Sequence, residues 1–241
     1  MKFYRRISPI SAISFDLDDT LYENHPVMVS VEDKMIAYFK RQFSTGKTSE
    51  SSLNKLDYHY WYKYRQQVLK ANAQLIHDVT ALRLESYFLG IKALGLASDV
   101  ARKEAQKALA YFIEHRSHFS VPQNIHQLLA KLSAKCPLLA ITNGNVDTQK
   151  IGIDSYFTHI FHAGNGFKKK PADDMFSAAC EQLNIQPKQL LHIGDCGHAD
   201  ILGALQAGCQ TAWFPQYKIG KPLSVLPHLE LLDLAELESL L

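Results

Sequence analysis

The sequence predicts an α/β protein with a parallel sheet, into which a long all-helical segment is inserted. Short apolar runs alternate along much of the chain with patterns typical of amphipathic helices, and this alternation indicates a parallel sheet. Between the first run and the second, residues 22–120 contain no convincing strand. With 46% hydrophobic and 21% charged residues, the 241-residue chain has the composition of a folded globular protein.

The first apolar run, Ala12–Leu17, is partly β-branched and ends in acidic residues. It therefore predicts a buried strand that opens into a polar loop. Four later runs have the same character and predict the remaining strands: Leu138–Thr142, His159–Ala163, Gln189–Ile193 and Thr211–Phe214. Helical patterns between these strands include Asn124–Ala134 and Asp174–Leu183.

Residues 22–121 are predicted to form a separate helical domain, because a simple crossover between parallel strands is much shorter. Residues 1–21 and 122–241 then form the other domain. Gly95 is expected to end the third helix, and Ser44–Ser52 to form a polar loop. The predicted helices of the insertion are Val31–Phe43, Leu53–Ala73, Val79–Leu94 and Asp99–Phe119.

Charge and cysteine content restrict the possible functions. The chain has 26 basic and 24 acidic residues, a net charge of +2, so no overall field favours nucleic acid or anionic lipid as a partner. The 4 cysteines include no Cys-x-x-Cys pair, which favours a reducing compartment. No segment approaches the about 18 apolar residues of a membrane span. We therefore expect a cytoplasmic protein that binds neither nucleic acid nor membranes.

The first motif is Asp16-Leu17-Asp18-Asp19-Thr20, directly after the first predicted strand. Residues two apart on an extended chain point the same way, so Asp16 and Asp18 can face one pocket at the carboxyl end of the strand. Open α/β sheets bind their ligands at this end. A hard cation such as Mg²⁺ would relieve the repulsion between the two carboxylates. The alternative is an acidic strand end with Thr20 as a helix cap.

Three further groups follow later predicted strands. Thr142-Asn143-Gly144 supplies a hydroxyl and loop amides suited to phosphate oxygens. Lys170 supplies a point positive charge, and Asp195 and Asp200 supply two more carboxylates. Each group alone is weak evidence. Four groups in order, each at the end of a strand, together predict one site at the carboxyl edge of the sheet.

These residues resemble the motifs of the haloacid dehalogenase-like hydrolases, which are mostly Mg²⁺-dependent phosphatases. The resemblance covers the whole chain and implies a doubly wound, Rossmann-like core with an inserted all-helical cap. Within the family, several runs are similar to those of bacterial flavin-pathway phosphatases: FDLDDTLYENHPV, LLAITNGN, KKKPADDMF and LLHIGD. This similarity implies a small phosphorylated metabolite as substrate, either flavin mononucleotide (FMN) or the phosphorylated ribitylamino-uracil precursor of riboflavin.

The resemblance also implies a role for each motif residue. Asp16 would attack phosphorus as the nucleophile, and Asp18 would protonate the leaving alkoxide and then deprotonate the hydrolytic water. Mg²⁺ would be held by Asp16, the backbone carbonyl of Asp18 and Asp195. Asp200 would orient these ligands or Lys170. Thr142 and Lys170 would act as catalytic residues that neutralise the phosphoryl group, and the other phosphate- or substrate-binding residues would be Leu17, Asn143, Gly144 and Arg83.

Two positions depart from the pattern or are open to a second interpretation. Relatives often carry an acidic residue where this chain has Cys196, so the metal's third protein ligand would be Asp195 alone. In the helical insertion, Arg83 lies one turn after Asp78 and Thr80 and is a candidate substrate contact. A capped helix start explains Asp78 and Thr80 equally well.

Three alternative functions are compatible with this fold. A haloacid dehalogenase also uses the first aspartate as its nucleophile, but carbon–halogen cleavage needs neither the acid Asp18 nor a metal. A sugar phosphomutase could use Asp18 too, and release of inorganic phosphate from simple esters would separate it from a phosphatase. A non-catalytic ligand-binding protein would have little use for the complete set of motif residues.

Overall fold

The computed structural model describes residues 1–44 and 56–240, which form two compact units. The core unit comprises Met1–Asn24, Ser120–Gly144 and Thr148–Leu241, and the helical unit comprises His25–Phe119 and Asn145–Asp147. The domain boundaries placed after residues 21 and 121 stay a prediction. Of the predicted loop Ser44–Ser52, residues 45–52 lie outside the described residues, as does the predicted helix start at Leu53.

The secondary structure of the described residues consists of short strands, α-helices and a few turns of tighter or wider helix. The strands are β1 (Lys2–Phe3), β2 (Ala12–Phe15), β3 (Leu138–Thr142), β4 (His159–His162), β5 (Leu190–Gly194), β6 (Gln210–Trp213) and β7 (Leu229–Glu230). The α-helices are α1 (His25–Phe43), α2 (Tyr58–Ala71), α3 (Val79–Lys92), α4 (Ser98–Arg116), α5 (Gln123–Ser133), α6 (Asp174–Leu183) and α7 (Gly203–Gln206).

The core unit is built on one seven-stranded sheet with the strand order β1-β7-β6-β5-β2-β3-β4. Strands β2 to β7 are parallel, and β1 is antiparallel to β7. From the central β2 the chain adds β3 and β4 on one side, and then adds β5, β6 and β7 on the other. This is a doubly wound, Rossmann-like sheet with helices, so the predicted fold class is confirmed.

The ends of three neighbouring strands meet at one edge of this sheet. Phe15 in β2 pairs with Ala140 of β3 and with Ile193 of β5. All residues of β2, β3 and β5 are buried, which explains why they form mostly apolar runs in the sequence. Their carboxyl ends lie side by side where the winding of the sheet reverses, the usual position of a ligand site in such folds.

The five predicted strands are present, with ends that differ by at most two residues. The sequence analysis does not predict β1 and β7. Each has two residues, too few for an alternating pattern, and they form by pairing Lys2 with Glu230 and Phe3 with Leu229 across the length of the chain. Such strands arise from tertiary contacts rather than from a local signal.

Local signals explain where several helices begin. The Asp78 carboxylate accepts hydrogen bonds from the backbone N–H groups of Thr80 and Ala81, so α3 begins at Val79 as predicted. The predicted start of α1 at Val31 is too late. This helix begins at His25, because Pro26 is well tolerated in a first helical turn, where its missing N–H is not needed.

Three predicted helix ends in the insertion are also too late. Helix α3 ends at Lys92, and Gly95 lies in the turn that follows it, with a φ of +94°. Helix α4 ends at Arg116 rather than Phe119. Helix α2 ends at Ala71, where Asn72 leaves the helical conformation. In the described residues, no helix is long and apolar enough to cross a membrane.

The helical unit packs around aromatic side chains. The ring of Phe39 in α1 lies 4.2 Å from that of Trp61 in α2 and 5.2 Å from that of Tyr87 in α3, measured between centroids. Residues 145–147 belong to this unit through side-chain contacts. Asn145 Nδ2 donates to Thr80 Oγ1 at 3.0 Å, which holds the residue after Gly144 at the start of α3.

Candidate active site

The predicted motif residues of the core unit converge at the carboxyl edge of its sheet. Asp16 directly follows β2, and its backbone N–H donates to the carbonyl of Ile193 in β5. Thr142 is the last residue of β3, and Asp195 directly follows β5. One carboxylate oxygen from each of Asp16, Asp195 and Asp200 lies within 4.8 Å of the other two. The parallel sheet thus brings together side chains from three separate segments.

Lys170 connects two of these carboxylates. Its ammonium group donates to Asp16 Oδ1 at 2.7 Å, to Asp200 Oδ1 at 2.6 Å and to the carbonyl oxygen of Ile141 at 2.5 Å. These three bonds use all three donors of a lysine ammonium. The lysine side chain is almost completely buried, so both ion pairs are screened little by solvent.

Asn143 explains how the chain places Lys170 at this position. The Asn143 side chain accepts from the Lys170 backbone N–H at 2.7 Å and donates to the Lys170 carbonyl oxygen at 3.1 Å. In this structure Asn143 therefore holds the lysine loop against the end of β3. The family resemblance implies phosphate binding for Asn143 and does not predict this pair of hydrogen bonds.

Asp200 is held by polar groups that the sequence analysis missed. Asp200 Oδ1 also lies 3.2 Å from His192 Nε2, and Asp200 Oδ2 accepts from the Cys196 backbone N–H at 2.9 Å. His192 Nδ1 lies 2.9 Å from Ser14 Oγ. Because an ionised carboxylate only accepts hydrogen bonds, Nε2 carries the imidazole proton and Nδ1 accepts from the serine. The available signal was a polar residue in each of the apolar runs AISF and LLHIG.

The environment shifts the acidity of these groups in different directions. Burial raises the pKa of Asp16 well above its usual value, although Lys170 opposes this effect. Burial, with the nearby carboxylates of Asp200 and Asp19, raises the pKa of Asp195 to about 7. Although burial of Asp200 opposes this effect, Lys170 and His192 keep the pKa of Asp200 well below its ordinary value. Burial lowers the pKa of His192 to about 4, so its imidazole is neutral at pH 7.

The carboxylates of this cluster are suited to bind a divalent cation. Burial of Asp16 and Asp195 in a cluster of carboxylates disfavours their ionised forms, and a cation between them would reverse this. Oxygen-only donors suit Mg²⁺. Both oxygens of Asp200 are already used by protein donors, so Asp16 and Asp195 are the better candidates for direct ligands.

Asp18 lies beside this cluster. Its Oδ1 accepts from the Tyr22 hydroxyl at 2.7 Å, and its charge raises the pKa of Asp16. The strand ends at Phe15, so the convergence of the two aspartates depends on the loop rather than on strand alternation. Gly144 closely approaches Asp18, because a Cβ atom at position 144 would lie 2.6 Å from Asp18 Oδ2. A side chain at position 144 would therefore displace the Asp18 carboxylate.

The remaining predicted residues occupy different environments. Thr142 is buried, and its Oγ1 accepts from the Gly144 backbone N–H at 3.0 Å. The side chain of Leu17 is also buried, and its carbonyl oxygen accepts from the N–H of Leu21 at 3.0 Å. Cys196 Sγ accepts from the Ala199 backbone N–H, which fits an inert thiol. Arg83 lies on α3 in the helical unit.

The profile of the haloacid dehalogenase-like hydrolases matches residues 10–208 of the sequence. The chain belongs to this family. The hydrolase is 36% identical to the 5-amino-6-(5-phospho-D-ribitylamino)uracil phosphatase YigB of Escherichia coli, with 100% of both chains covered. It is 27% identical to the N-acylneuraminate-9-phosphatase of Rattus norvegicus over 98% of its own length and 95% of the relative's.

Solved structures show the same architecture. A 2-haloacid dehalogenase from Pseudomonas syringae has a TM-score of 0.87 to this hydrolase and 26% sequence identity, over 96% of this chain and 97% of the other. Full-length similarity to several phosphatases makes the hydrolase a phosphatase-type member of the family, an enzyme that acts on phosphoric monoesters.

Proposed function

We propose that the enzyme is a Mg²⁺-dependent phosphatase that hydrolyses a small phosphomonoester through an aspartyl-phosphate. We further propose that its substrates are 5-amino-6-(5-phospho-D-ribitylamino)uracil and FMN. The observation that carries the mechanism is the position of Asp16 in a buried carboxylate cluster beside Lys170 and Asp18. The substrate follows from the full-length similarity to the phosphatase YigB.

In the first half of the proposed reaction, a carboxylate oxygen of Asp16 attacks phosphorus, and the bond from phosphorus to the leaving oxygen breaks. Lys170 orients the nucleophile by its hydrogen bond to Asp16 Oδ1. Asp18 donates a proton to the leaving alkoxide, which departs as an alcohol. Thr142, Gly144 and the Lys170 charge stabilise the phosphoryl oxygens.

In the second half, Asp18 takes a proton from water, and the resulting hydroxide attacks the phosphorus of the aspartyl-phosphate. The phosphorus–oxygen bond to Asp16 breaks, and inorganic phosphate and the free carboxylate are restored. Bound Mg²⁺, held by Asp16, the Asp18 carbonyl and Asp195, would neutralise phosphoryl charge. Asp200 would keep Lys170 in place through the contact at 2.6 Å.

Similarity to a 2-haloacid dehalogenase makes that activity the second candidate. A dehalogenase displaces a halide, which leaves without a proton. The side chain of Asp18 therefore has no evident task in such a reaction, whereas an alkoxide leaving group needs an acid. A dehalogenase also needs no metal. The buried carboxylates of Asp16 and Asp195, whose ionised forms a cation would stabilise, therefore favour the phosphatase.

The experiment that tests the proposal measures inorganic phosphate released from four esters with Mg²⁺ and with excess chelator. The esters are the phosphorylated ribitylamino-uracil, FMN, a hexose phosphate and p-nitrophenyl phosphate. We expect Mg²⁺-dependent turnover, with kcat/KM highest for the first two. Halide release from 2-chloropropionate would favour the dehalogenase. Isomerisation of the hexose phosphate would favour a mutase, and absence of all three activities would contradict the enzyme assignment.

A further inference from the structure

The helical unit contains a cavity of about 210 Å³ between α1, α2, α3 and α4. Ligand sites for whole drug-sized molecules measure about 300–1,000 Å³. The volume of this cavity therefore suits one planar ring system rather than a complete nucleotide. Its lining is rich in aromatic side chains: Phe39, Tyr58, Trp61, Tyr62, Tyr87 and Phe112.

The aromatic side chains form a fixed wall and an exposed rim. The Trp61 ring lies 5.2 Å from the Tyr87 ring at an angle of 80°, and Gly90 lies directly behind it, so its position is constrained on both sides. Tyr58 and Tyr62 stack with their centroids 5.8 Å apart and remain 54% and 46% exposed. Large exposed rings at the entrance of an aromatic cavity are typical of a ligand site.

Three charged side chains line the same cavity, Glu32, Arg65 and Arg83. In the described part of the chain none of them makes an ion pair. The Arg83 guanidinium lies 3.6 Å above the Phe112 ring and donates to the Tyr87 hydroxyl at 3.4 Å. Its Nε is buried and has no hydrogen-bond partner among the described residues. A partly buried cation of this kind is stabilised by an acceptor that a ligand supplies.

Arg102, in the same unit, is an arginine whose guanidinium has a carboxylate partner. Its guanidinium stacks on Phe88 at 3.8 Å, much as Arg83 stacks on Phe112. Arg102 also donates two hydrogen bonds to Glu85, at 2.6 and 3.1 Å. Among the residues that the structure describes, the two arginines differ in that Arg102 has a carboxylate partner and Arg83 has none. Arg102 does not line the cavity.

We propose that this cavity binds a planar heteroaromatic ring with carbonyl acceptors and a ring N–H, as in a pyrimidinedione. The ring would pack against the aromatic wall, its carbonyl oxygens would accept from Arg83, and its N–H would donate to Glu32. That this ring belongs to the phosphate ester cleaved in the core unit rests on the proposed function. The binding of such a ring in the cavity is inferred from the lining residues alone and does not depend on the proposed function.

The test uses a phosphate-free probe, so that binding does not depend on the phosphoryl site. The chain has 2 tryptophans, and Trp213→Phe leaves Trp61 as the sole indole fluorophore. Riboflavin should quench Trp61 fluorescence in this background, whereas ribitol, which lacks the ring, should not. Calorimetric titration of the unmodified protein with riboflavin should give the same Kd, which checks that Trp213→Phe has not altered the cavity.

Arg83→Ala should raise the riboflavin Kd at least fivefold, and the matched control Arg102→Ala should change it less than twofold. Absence of binding by both methods would overturn the proposal, as would equal effects of the two arginine substitutions. Hydrolysis of p-nitrophenyl phosphate separates the two proposals. Turnover without riboflavin binding would contradict the cavity assignment alone, and riboflavin binding without any phosphatase turnover would contradict the proposed function alone.

Discussion

Lys170 determines the charge state of the candidate active site. Although burial opposes it, the carboxylates of Asp16 and Asp200 hold the pKa of Lys170 above its ordinary value, so the ammonium stays protonated. One buried cation thereby orients the proposed nucleophile and connects it to Asp200. Asp195 lacks such a contact in the described residues and has a pKa raised to about 7, so a bound cation would stabilise its ionised form.

Asp16→Asn should lower kcat for FMN by at least about 10³-fold, because an amide cannot attack phosphorus. The variant should remain folded and should still bind inorganic phosphate, as measured by circular dichroism and calorimetry. Asp173→Asn is the matched control, since it makes the same change at an exposed carboxylate and should leave kcat unaltered. Substantial turnover by Asp16→Asn would exclude the aspartyl-phosphate mechanism.

Asp200→Asn should weaken Mg²⁺ binding by about 10- to 100-fold, as expected for a residue that orients a ligand, and Asp195→Asn should weaken it more. Calorimetric titration with Mg²⁺ measures both effects. Asp200→Asn should also lower the free energy of unfolding by about 3–5 kcal/mol, because it breaks a buried ion pair. Equal losses of Mg²⁺ affinity in the two variants would reverse the assignment of ligand and orienting residue.

At the scale of elements, the packing of α2 on α3 depends on one glycine. Gly90 lies within α3, where glycine is normally unfavourable in comparison with alanine. A Cβ atom at this position would lie 2.5 Å from Trp61 Cζ3 and 3.2 Å from Tyr60 Cε1. The close approach of the two helices therefore outweighs the helix propensity of residue 90.

Gly90→Ala should lower the free energy of unfolding by about 1–3 kcal/mol, the usual effect of overpacking a core. Denaturant unfolding followed by far-ultraviolet circular dichroism measures this change. Lys92→Ala, at an exposed position of the same helix, is the control and should have little effect. An increase in stability of about 1 kcal/mol would show instead that helix propensity dominates at this site.

At the scale of the whole molecule, we expect the core unit to carry out phosphoryl transfer and the helical unit to provide substrate selectivity. In the proposed reaction the residues of the core unit would handle the phosphoryl group, which every phosphate ester shares, so they could not distinguish one leaving group from another. Selectivity then has to come from surfaces that contact the rest of the substrate, and contacts remote from the reacting atoms can accelerate the reaction as well. The aromatic cavity of the helical unit is the candidate for such a surface.

Arg83→Ala should change the ratio of kcat/KM for FMN to that for p-nitrophenyl phosphate by about fivefold or more, the effect of about 1 kcal/mol from one lost polar contact. Steady-state kinetics with both esters give this ratio. Arg102→Ala should leave the ratio unchanged, because that arginine is paired with Glu85. If Arg83→Ala scales both efficiencies equally, Arg83 only supports its helix.

The sequence by itself determined the α/β class, the five longer strands and the position of the motif groups after the ends of strands. These features depend on local patterns, namely mostly apolar runs, helical periodicity and polar residues after strands. The capped start of α3 could be predicted for the same reason, since Asp78 lies next to the N–H groups that it accepts from.

Only the tertiary structure decided which side chains contact one another. Lys170 and Asp16 are 154 residues apart in the chain, and the network of Ser14, His192 and Asp200 spans two strands and the turn after them. The pairing of β1 with β7 likewise has no local sequence signal. A pattern along the chain predicts which face of an element is buried, but partners distant in sequence are chosen by packing in three dimensions.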